Sequence, residues 1–452
     1  MSAAPAPLPD PPGPAPSEAA PTPEQAENPL ALLMALGERY GELVRVPSPY
    51  GQSYLYNHPS FVRHFFHSHN YERTKLLKIA LGDGTLSSDG AVWREQRRIV
   101  QPAFQPDKVR GFGALMVDEA RAAADRWSAA GAANVDLDEE MMRLTLLIAV
   151  RALFSADVSE DVEEISQALT LVIRDLGILT STLFAVPVSF DPQRNRRLRQ
   201  ALGALDAVVF RIIEARRKAP GSRGDLLDML LLARDPETGA ALDDKRLRDE
   251  VVTMLVAGHE TTATSLSWAW ALLALHPAQE ARFHAELATL EGRPPSVDDL
   301  PDLVYTRGVL QESMRLYPPV WTIARRVKED EVLGGYRVRG DSAAFVCPFM
   351  LHRHPGFWPE PERFDPTRFD EVRGPTIDRY AYVPFARGPH MCAGHHFATQ
   401  EGTLILAALG QRFSFQLMQD ALPEPWPLVT LRMKGGLPMR LQPRATAATR
   451  SP

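Results

Sequence analysis

From Val92 to about Ala271, apolar residues recur at three- and four-residue intervals, a spacing that predicts helices. The stripe is clearest over Lys108–Ala130, Met141–Phe154 and Asp161–Leu176. Ahead of it, Leu30-Ala-Leu-Leu-Met-Ala-Leu36 predicts a short helix ended by Gly41. Strand candidates at Glu42–Val46 and Ser53–Tyr56 flank a turn over Pro47–Gly51. Strand patterns return late, in Val332–Val338, Ser342–Phe349 and Leu428–Leu441. This order predicts a mainly α, α+β fold, with a large helical domain and a small sheet region built from distant segments. One segment stands apart. Asp244–Leu275 is apolar nearly all round (Val251, Val252, Met254, Leu255, Val256, then Leu266 and Trp268), which predicts a helix buried through the middle of the domain. At 1.5 Å per residue it would run roughly 45–50 Å.

The totals narrow the class. A chain of 452 residues that is 45% apolar can bury a large core, as one big domain or two medium ones. A net charge of −6 argues against general nucleic-acid binding. Two cysteines exclude a disulfide framework. Cys347, in the apolar run Ala343-Ala-Phe-Val-Cys-Pro-Phe349, reads as a packed strand residue. Residues 1–29 are dominated by Pro, Ala and Glu and read as a disordered tail, followed by a domain over 30–442 and a loose tail over 443–452. The start lacks the basic flank and apolar core of a signal peptide. No run of about 18 apolar residues offers a membrane span, so a cytoplasmic protein is expected.

Candidate chemistry centres on Phe385-Ala-Arg-Gly-Pro-His390-Met-Cys392-Ala-Gly394. Gly388 and Gly394 permit a tight turn and a close approach to a bound group. The run Gly394–Leu409 reads as a helix whose N-terminus points back at the sulfur and favours a thiolate. Cys392 is thus a candidate metal ligand, against the plainer reading of a structural cysteine beside a turn. A zinc site from Cys392, His395 and His396 would want a fourth ligand and a better spacing. Within the long helix lies Ala257-Gly-His-Glu260-Thr261-Thr262. A glycine there costs about 1 kcal/mol, and a buried unpaired carboxylate more. Either a local kink or a functional break, with Thr261 bonded back to the chain, accounts for it. Glu312 and Arg315, three apart, share a helical face ended by Leu316-Tyr-Pro-Pro-Val320. Trp93 and Arg97, four apart, share another with Arg94 and Arg98 nearby, which taken alone is a basic solvated face.

Together, and in this order, these motifs resemble those of the cytochrome P450 family, in its soluble bacterial type. Phe385, Gly388, His390, Cys392 and Gly394 fill the places of that family's cysteine loop; Ala386 and His390 stand where glycine and arginine are commoner. The resemblance implies haem b with Cys392 as axial thiolate, which favours O–O cleavage. It implies that Trp93, Arg97, Arg325 and His390 contact the haem propionates, with Arg326 the close competitor of Arg325, and that Phe385 belongs to the cofactor site. Thr261 and Glu260 become the acid–alcohol pair that delivers protons to dioxygen. Glu312, Arg315 and Arg363 become a structural triad, and Pro11-Pro-Gly-Pro14 is similar to the proline hinge of microsomal members. Leu86 in the loop Gly82–Ser88, Ala257, Val320, Thr322 and Val429 are the implied substrate contacts, and Ile178–Phe190 the implied lid.

The activity implied is insertion of one oxygen atom from O2 into an apolar substrate, by hydroxylation or epoxidation. Electrons would come from a ferredoxin or flavodoxin with an NAD(P)H-dependent reductase, steered by Arg94, Arg98, Lys108 and Arg387. The alternative is a peroxide-using haem-thiolate enzyme, a peroxygenase or isomerase without a reductase. A monomer is expected. Sequence around Trp93–Arg97 and His352-Arg-His-Pro355 leans toward fatty-acid hydroxylases, with terpenes, polyketides and steroids open.

Overall fold

The computed structural model describes residues 8–15, 28–48, 51–74, 77–131, 133–156, 162–181, 192–218, 223–234, 239 and 241–444. The chain opens with α1 (Pro29–Tyr40), then β1 (Leu43–Ser48), β2 (Gly51–Tyr56), α2 (Pro59–His67) and β3 (Tyr71–Arg73). A helical block follows: α3 (Gly90–Val100), α4 (Gly113–Ala129), α5 (Leu137–Phe154), α6 (Val162–Ser181), α7 (Pro192–Lys218), α8 (Asp244–Leu275), α9 (Pro277–Ala288) and α10 (Val304–Leu316), with β4 (Asn134–Asp136) ahead of α5. Strands then return as β5 (Ile323–Val327), β6 (Glu331–Leu333), β7 (Tyr336–Val338) and β8 (Ala343–Val346). After a long irregular stretch come α11 (His395–Arg412), β9 (Phe413–Leu417), β10 (Pro425–Pro427), β11 (Leu431–Met433) and β12 (Pro438–Pro443).

The mainly α architecture expected from periodicity is present. α8 lies in the helical core, packed chiefly on α5 and also on α7, α10 and α11. Trp268 and Trp270, each at most 2% exposed, lie in its apolar C-terminal half. Trp268 stacks on Tyr317 at 3.8 Å and donates its indole N–H to the Leu431 carbonyl at 2.9 Å, fastening the helix to the β11 region. α5 starts where Asp136 accepts N–H bonds from Asp138 and Glu139, an N-cap that the periodicity alone did not mark. Among the described residues no helix is long and apolar enough to cross a membrane.

The main sheet has the order β1-β2-β8-β5-β3, antiparallel except for β2 beside β8. Its register brings Arg73 of β3 opposite Arg325 of β5, and Glu72 opposite Arg326. Successive strand residues point to opposite faces, so the two Arg/Glu sets separate.

Three expectations need correction. Part of the segment read as a disordered tail is ordered. Pro9 and Pro12 carbonyls accept the backbone N–H groups of Arg337 and Arg45 at 2.9 and 2.7 Å, and Asp10 pairs with Arg339 at 2.9 Å. Low apolar content does not prevent docking when edge backbone groups and a charge provide partners. Second, Cys347 is buried but lies just past β8, at the start of the short helix Pro348–Leu351, because Pro348 ends the ladder. Third, α8 runs without interruption through Gly258 and Thr261, so no break appears in the backbone. Of the implied lid, Ile178–Phe190, residues 178–181 form the end of α6, and the remainder lies outside the described residues, as do residues 1–7, 16–27 and 445–452 of the terminal segments.

Candidate functional site: a cysteine loop facing the central helix

The cysteine loop is shaped by its own backbone. Cys392 N–H donates to the Phe385 carbonyl at 2.9 Å, and Met391 N–H to that of Gly388 at 3.1 Å. Gly388 sits at φ 72, and a Cβ there would come within 2.5 Å of the Phe66 carbonyl oxygen, so both conformation and space demand glycine. Ala386 adopts φ 57, the left-handed conformation its glycine-rich counterparts accept without strain. α11 begins three residues after Cys392, and His395 Nδ1 lies 3.1 Å from the Cys392 carbonyl. Cys392 remains accessible, yet surrounding protein crowds it closely enough that burial raises its thiol pKa. The Gly394 backbone N–H and Arg97 pull the other way. The helix N-terminus alone therefore does not yield a thiolate. A bound ferric iron would supply the missing positive charge.

Beside the loop lies a cluster rich in donors and poor in acids. The Trp93 and His390 rings lie 4.0 Å apart, centroid to centroid. Arg97 on α3 is close enough to feel the Cys392 charge. Arg325 points inward, its pKa lowered to about 10 by burial, while Arg326 is exposed and pairs with Glu72 at 2.8 Å and with Asp341. Strand alternation thus decides for Arg325.

Sequence reasoning missed two members of the cluster, Arg73 and Asp89. Arg73 donates to His390 Nδ1 at 2.9 Å, and His390 Nε2 lies 3.3 Å from Asp89 Oδ1. An arginine only donates, so the His390 Nδ1 must accept and its Nε2 carry the proton toward Asp89. That is the neutral ring, in keeping with a pKa pulled down to about 3 by burial and by Arg73, Arg325 and Arg97. The signal that could have found Arg73 is Tyr71-Glu-Arg73 read as a strand against Ile323–Val327.

Does this cluster fit haem? Three guanidiniums meet one nearby carboxylate, and the buried Trp93 Nε1 and Arg73 Nε have no partner. Buried donors without acceptors are costly. Haem, which carries two carboxylates and an iron that a thiolate can bind, would answer both the charge and the missing acceptors. Phe385, half-buried, belongs to the same loop.

The second group of candidates lies on α8. In its middle Val256, Ala257, Gly258 and Thr261 are half-exposed, although Val251–Leu255 and Thr262–Leu273 are buried. Ala257 and Thr261, one turn apart, share a helical face, whereas Gly258 turns toward Ala149 and Leu153 of α5. Thr261 Oγ1 donates to the Ala257 carbonyl at 3.0 Å, the back-bond that was expected. Glu260 is buried on another side. It accepts from Thr430 Oγ1 at 2.6 Å and lies near Arg432, which in turn donates to Asp138 at 3.1 Å. Burial raises Glu260 to about 7, with Arg432 opposing. Val320, Thr322 and Val429 are half-buried and Leu86 is 38% exposed. Among the described residues no group of three His, Cys, Asp or Glu side chains could hold a metal, which removes the zinc reading.

The predicted triad is corrected. Arg315 makes a two-pronged bond to Glu312 at 2.6 and 2.8 Å, both residues fully buried. The third side chain is Arg368, 3.3 Å from Glu312, and not Arg363, which pairs with Glu360 at the surface and gives Arg315 only its carbonyl. The sequence holds Pro-x-Arg-Phe twice, at 361–364 and 366–369. Only the second, in a 3₁₀ turn against α10, aims its arginine inward.

A fold with a long buried helix facing a cysteine loop and a carboxylate-binding cluster defines a haem-thiolate oxygenase. The family model "Cytochrome P450" matches residues 11–436, and the chain belongs to the cytochrome P450 family. It is a P450 monooxygenase with haem ligated by a cysteine thiolate. Cyclooctatin synthase of Streptomyces melanosporofaciens is 36% identical over 431 residues, covering 93% of this chain and 92% of its own. Cyclooctat-9-en-7-ol 5-monooxygenase of the same organism is 36% identical over 432 residues, covering 92% and 91%. The crystal structure of the cytochrome P450DA heme domain superimposes with a TM-score of 0.87 at 25% identity, over 97% of this chain and 99% of that one.

Proposed function

We propose that this P450 oxygenates a polycyclic, hydrocarbon-rich alkene or alcohol of terpenoid size, using electrons from a separate ferredoxin or flavodoxin with its NAD(P)H-dependent reductase. The substrate class rests on the apolar character of the implied contacts Leu86, Ala257, Val320 and Val429, none of them fully buried, with Thr322 the polar member. Such a set recognises shape and hydrophobic area, and a lone hydroxyl can orient a substrate alcohol. Thr322 Oγ1 is buried with no partner, so it is free to serve that role. The name of the relative that oxidises cyclooctat-9-en-7-ol, a cyclic unsaturated alcohol, supports this over the fatty-acid lean of the sequence.

Haem held by Cys392 supplies the activation of dioxygen. The chain's own residues do the rest. Arg73, Arg97, Arg325 and Trp93 fix the carboxylate end, with His390 held between Arg73 and Asp89; the Ala257 side of α8 excludes water from the reacting carbon; Thr261 and Glu260 handle protons. Glu260 is suited to a proton donor because its pKa near 7 leaves both forms populated at neutral pH. Retention of that pair favours the O2-using reading over the peroxide-using one.

The test is titration of the haem-loaded protein with cyclic diterpene alcohols, sesquiterpenes and long-chain fatty acids, followed by turnover under labelled O2. A spin-state shift with a cyclic terpenoid, and one labelled oxygen atom in the product, is the expected result. Shifts confined to fatty acids would overturn the substrate class. Turnover supported by peroxide alone would overturn the use of a redox partner.

A further inference from the structure

The β3–β5 pair has two unlike faces. On the outer face Glu72 opposes Arg326, and the two form an ion pair at 2.8 Å. On the inner face Arg73 opposes Arg325, like charge against like. Directly opposed residues on a sheet lie about 4.5–5.5 Å apart at Cβ, close enough for repulsion to destabilise the pair. The inner pair is tolerable only if an anion lies between or beside the two guanidiniums. Asp89 is the nearby acid, and it also serves the Arg73 backbone N–H and His390.

Arg73 does something more. One Nη of its guanidinium donates to the carbonyl of Thr85 at 2.7 Å and to that of Leu86, and the other to His390 at 2.9 Å. Those carbonyls belong to the loop 82–88 that presents Leu86 to the site. The loop's far side is fastened to α8: Thr85 Oγ1 donates to Glu250 at 2.8 Å, and Asp83 N–H to Asp249 at 2.9 Å. The α8 side is therefore held by neighbours that owe nothing to the cofactor. Gln96 of α3 takes the Ser88 hydroxyl and donates to the Asp83 carbonyl, but the carbonyls of Thr85 and Leu86 take the Arg73 guanidinium, whose Nε remains buried and unpaired.

We propose that Arg73 is a positioning residue that joins the carboxylate end of the haem site to the substrate-side loop, so that anionic charge at that end holds residues 85–86, and with them Leu86, in the substrate-contacting position. This deepens the reading above and rests on it for the role of Leu86. Burial together with Arg325 and Arg97 lowers the Arg73 pKa to about 9, the mark of a guanidinium short of compensating negative charge, which a carboxylate at that end would supply. Leucine at position 73 leaves two loop carbonyls without their charged donor. Lysine keeps the charge but cannot span both carbonyls and His390, since a single ammonium lacks the planar fork.

The experiment is amide hydrogen exchange on haem-loaded wild type, Arg73→Leu and Arg73→Lys, with samples matched for haem content and for the reduced–CO band. Peptides covering 82–88 should exchange about tenfold or more faster in Arg73→Leu, the scale of losing hydrogen bonds to a charged group. Arg73→Lys should fall between, and α8 peptides should stay unchanged. Binding of 4-phenylimidazole, an apolar probe, should weaken in the same order. Wild-type exchange over 82–88 in Arg73→Leu would overturn the proposal. If Arg73→Leu retains no haem, Arg73→Lys decides: exchange and probe affinity equal to wild type overturn it, and intermediate values support it. A wild type without a thiolate-type CO band would instead count against the haem-thiolate reading itself.

Discussion

At the scale of single residues, conformation, charge and burial each yield a prediction. Ala386 holds a left-handed φ of 57 in the cysteine loop, where an L-residue bears about 1–2 kcal/mol of strain. Glycine relieves that strain but loses more chain entropy on folding. Ala386→Gly is expected to stabilise the haem-loaded protein by about 0.5–1 kcal/mol, measured by thermal or denaturant unfolding. The triad gives a sharper contrast. Arg368→Leu removes a buried partner of Glu312 and should cost about 1–3 kcal/mol, whereas Arg363→Leu at the surface should stay within about 0.5 kcal/mol. Equal losses from both would restore the first reading of the motif.

Glu250 adds a pH dependence. Burial raises its pKa from 4.5 to about 7, with the Thr85 hydrogen bonds opposing. The folded state thus binds this proton more tightly than the unfolded chain. The stabilisation it gives is complete below about pH 4.5 and is lost as pH rises toward about 7. Glu250→Gln should flatten that part of the stability–pH curve and be the more stable form at pH 8, by roughly 1–3 kcal/mol. Glu260, raised to a similar value, contributes a slope of its own that the variant leaves in place.

At the scale of elements, what could be read from the sequence depended on how local the cause was. α8 was legible end to end because its apolar run, its length and its cap Asp243 lie within one segment. Its interior was misjudged: a glycine and two hydroxyls predicted a break, yet Thr261 bonds back to the Ala257 carbonyl one turn earlier and the helix continues. Cys392, Trp93 and Arg97 were legible through motif spacing. Arg73 was not, because its meaning depends on a strand partner more than 250 residues away in the chain, and on the register that sets it opposite Arg325. Arg368 was hidden by a repeated motif whose two copies differ only in which one a turn directs toward Glu312. Thr430 could not be linked to Glu260 without the packing of the β11 region on α8. For α8 the test is Thr261→Ala, which should keep haem and substrate binding while diverting electrons from product to peroxide. Product yield per NAD(P)H, measured with peroxide formed, checks it; unchanged coupling would remove Thr261 from proton delivery.

At the scale of the whole molecule, the small sheet and the helical block each contribute one wall of the site, and the cysteine loop with α11 closes the third. Arg94, Arg98 and Lys108 are exposed, while Arg387 is drawn inward to the carbonyls of Arg379 and Tyr382. Of the four cations proposed to steer an acidic electron donor, the first three are therefore the ones open to it. Arg94→Glu should slow reduction more at low than at high salt, because exposed charges are screened. Stopped-flow reduction at two ionic strengths measures this, and an equal loss at both would place the docking site elsewhere.

The central claim is that Cys392 ligates haem iron as a thiolate in a site whose carboxylate end is held by the arginine cluster. The carbon monoxide difference spectrum of the dithionite-reduced protein tests it most directly. A strongly red-shifted Soret band is predicted for wild type, and its loss in Cys392→Ser. A band at the position of a histidine-ligated or thiol-ligated haem in the folded wild-type protein, or no haem band at all, would contradict it.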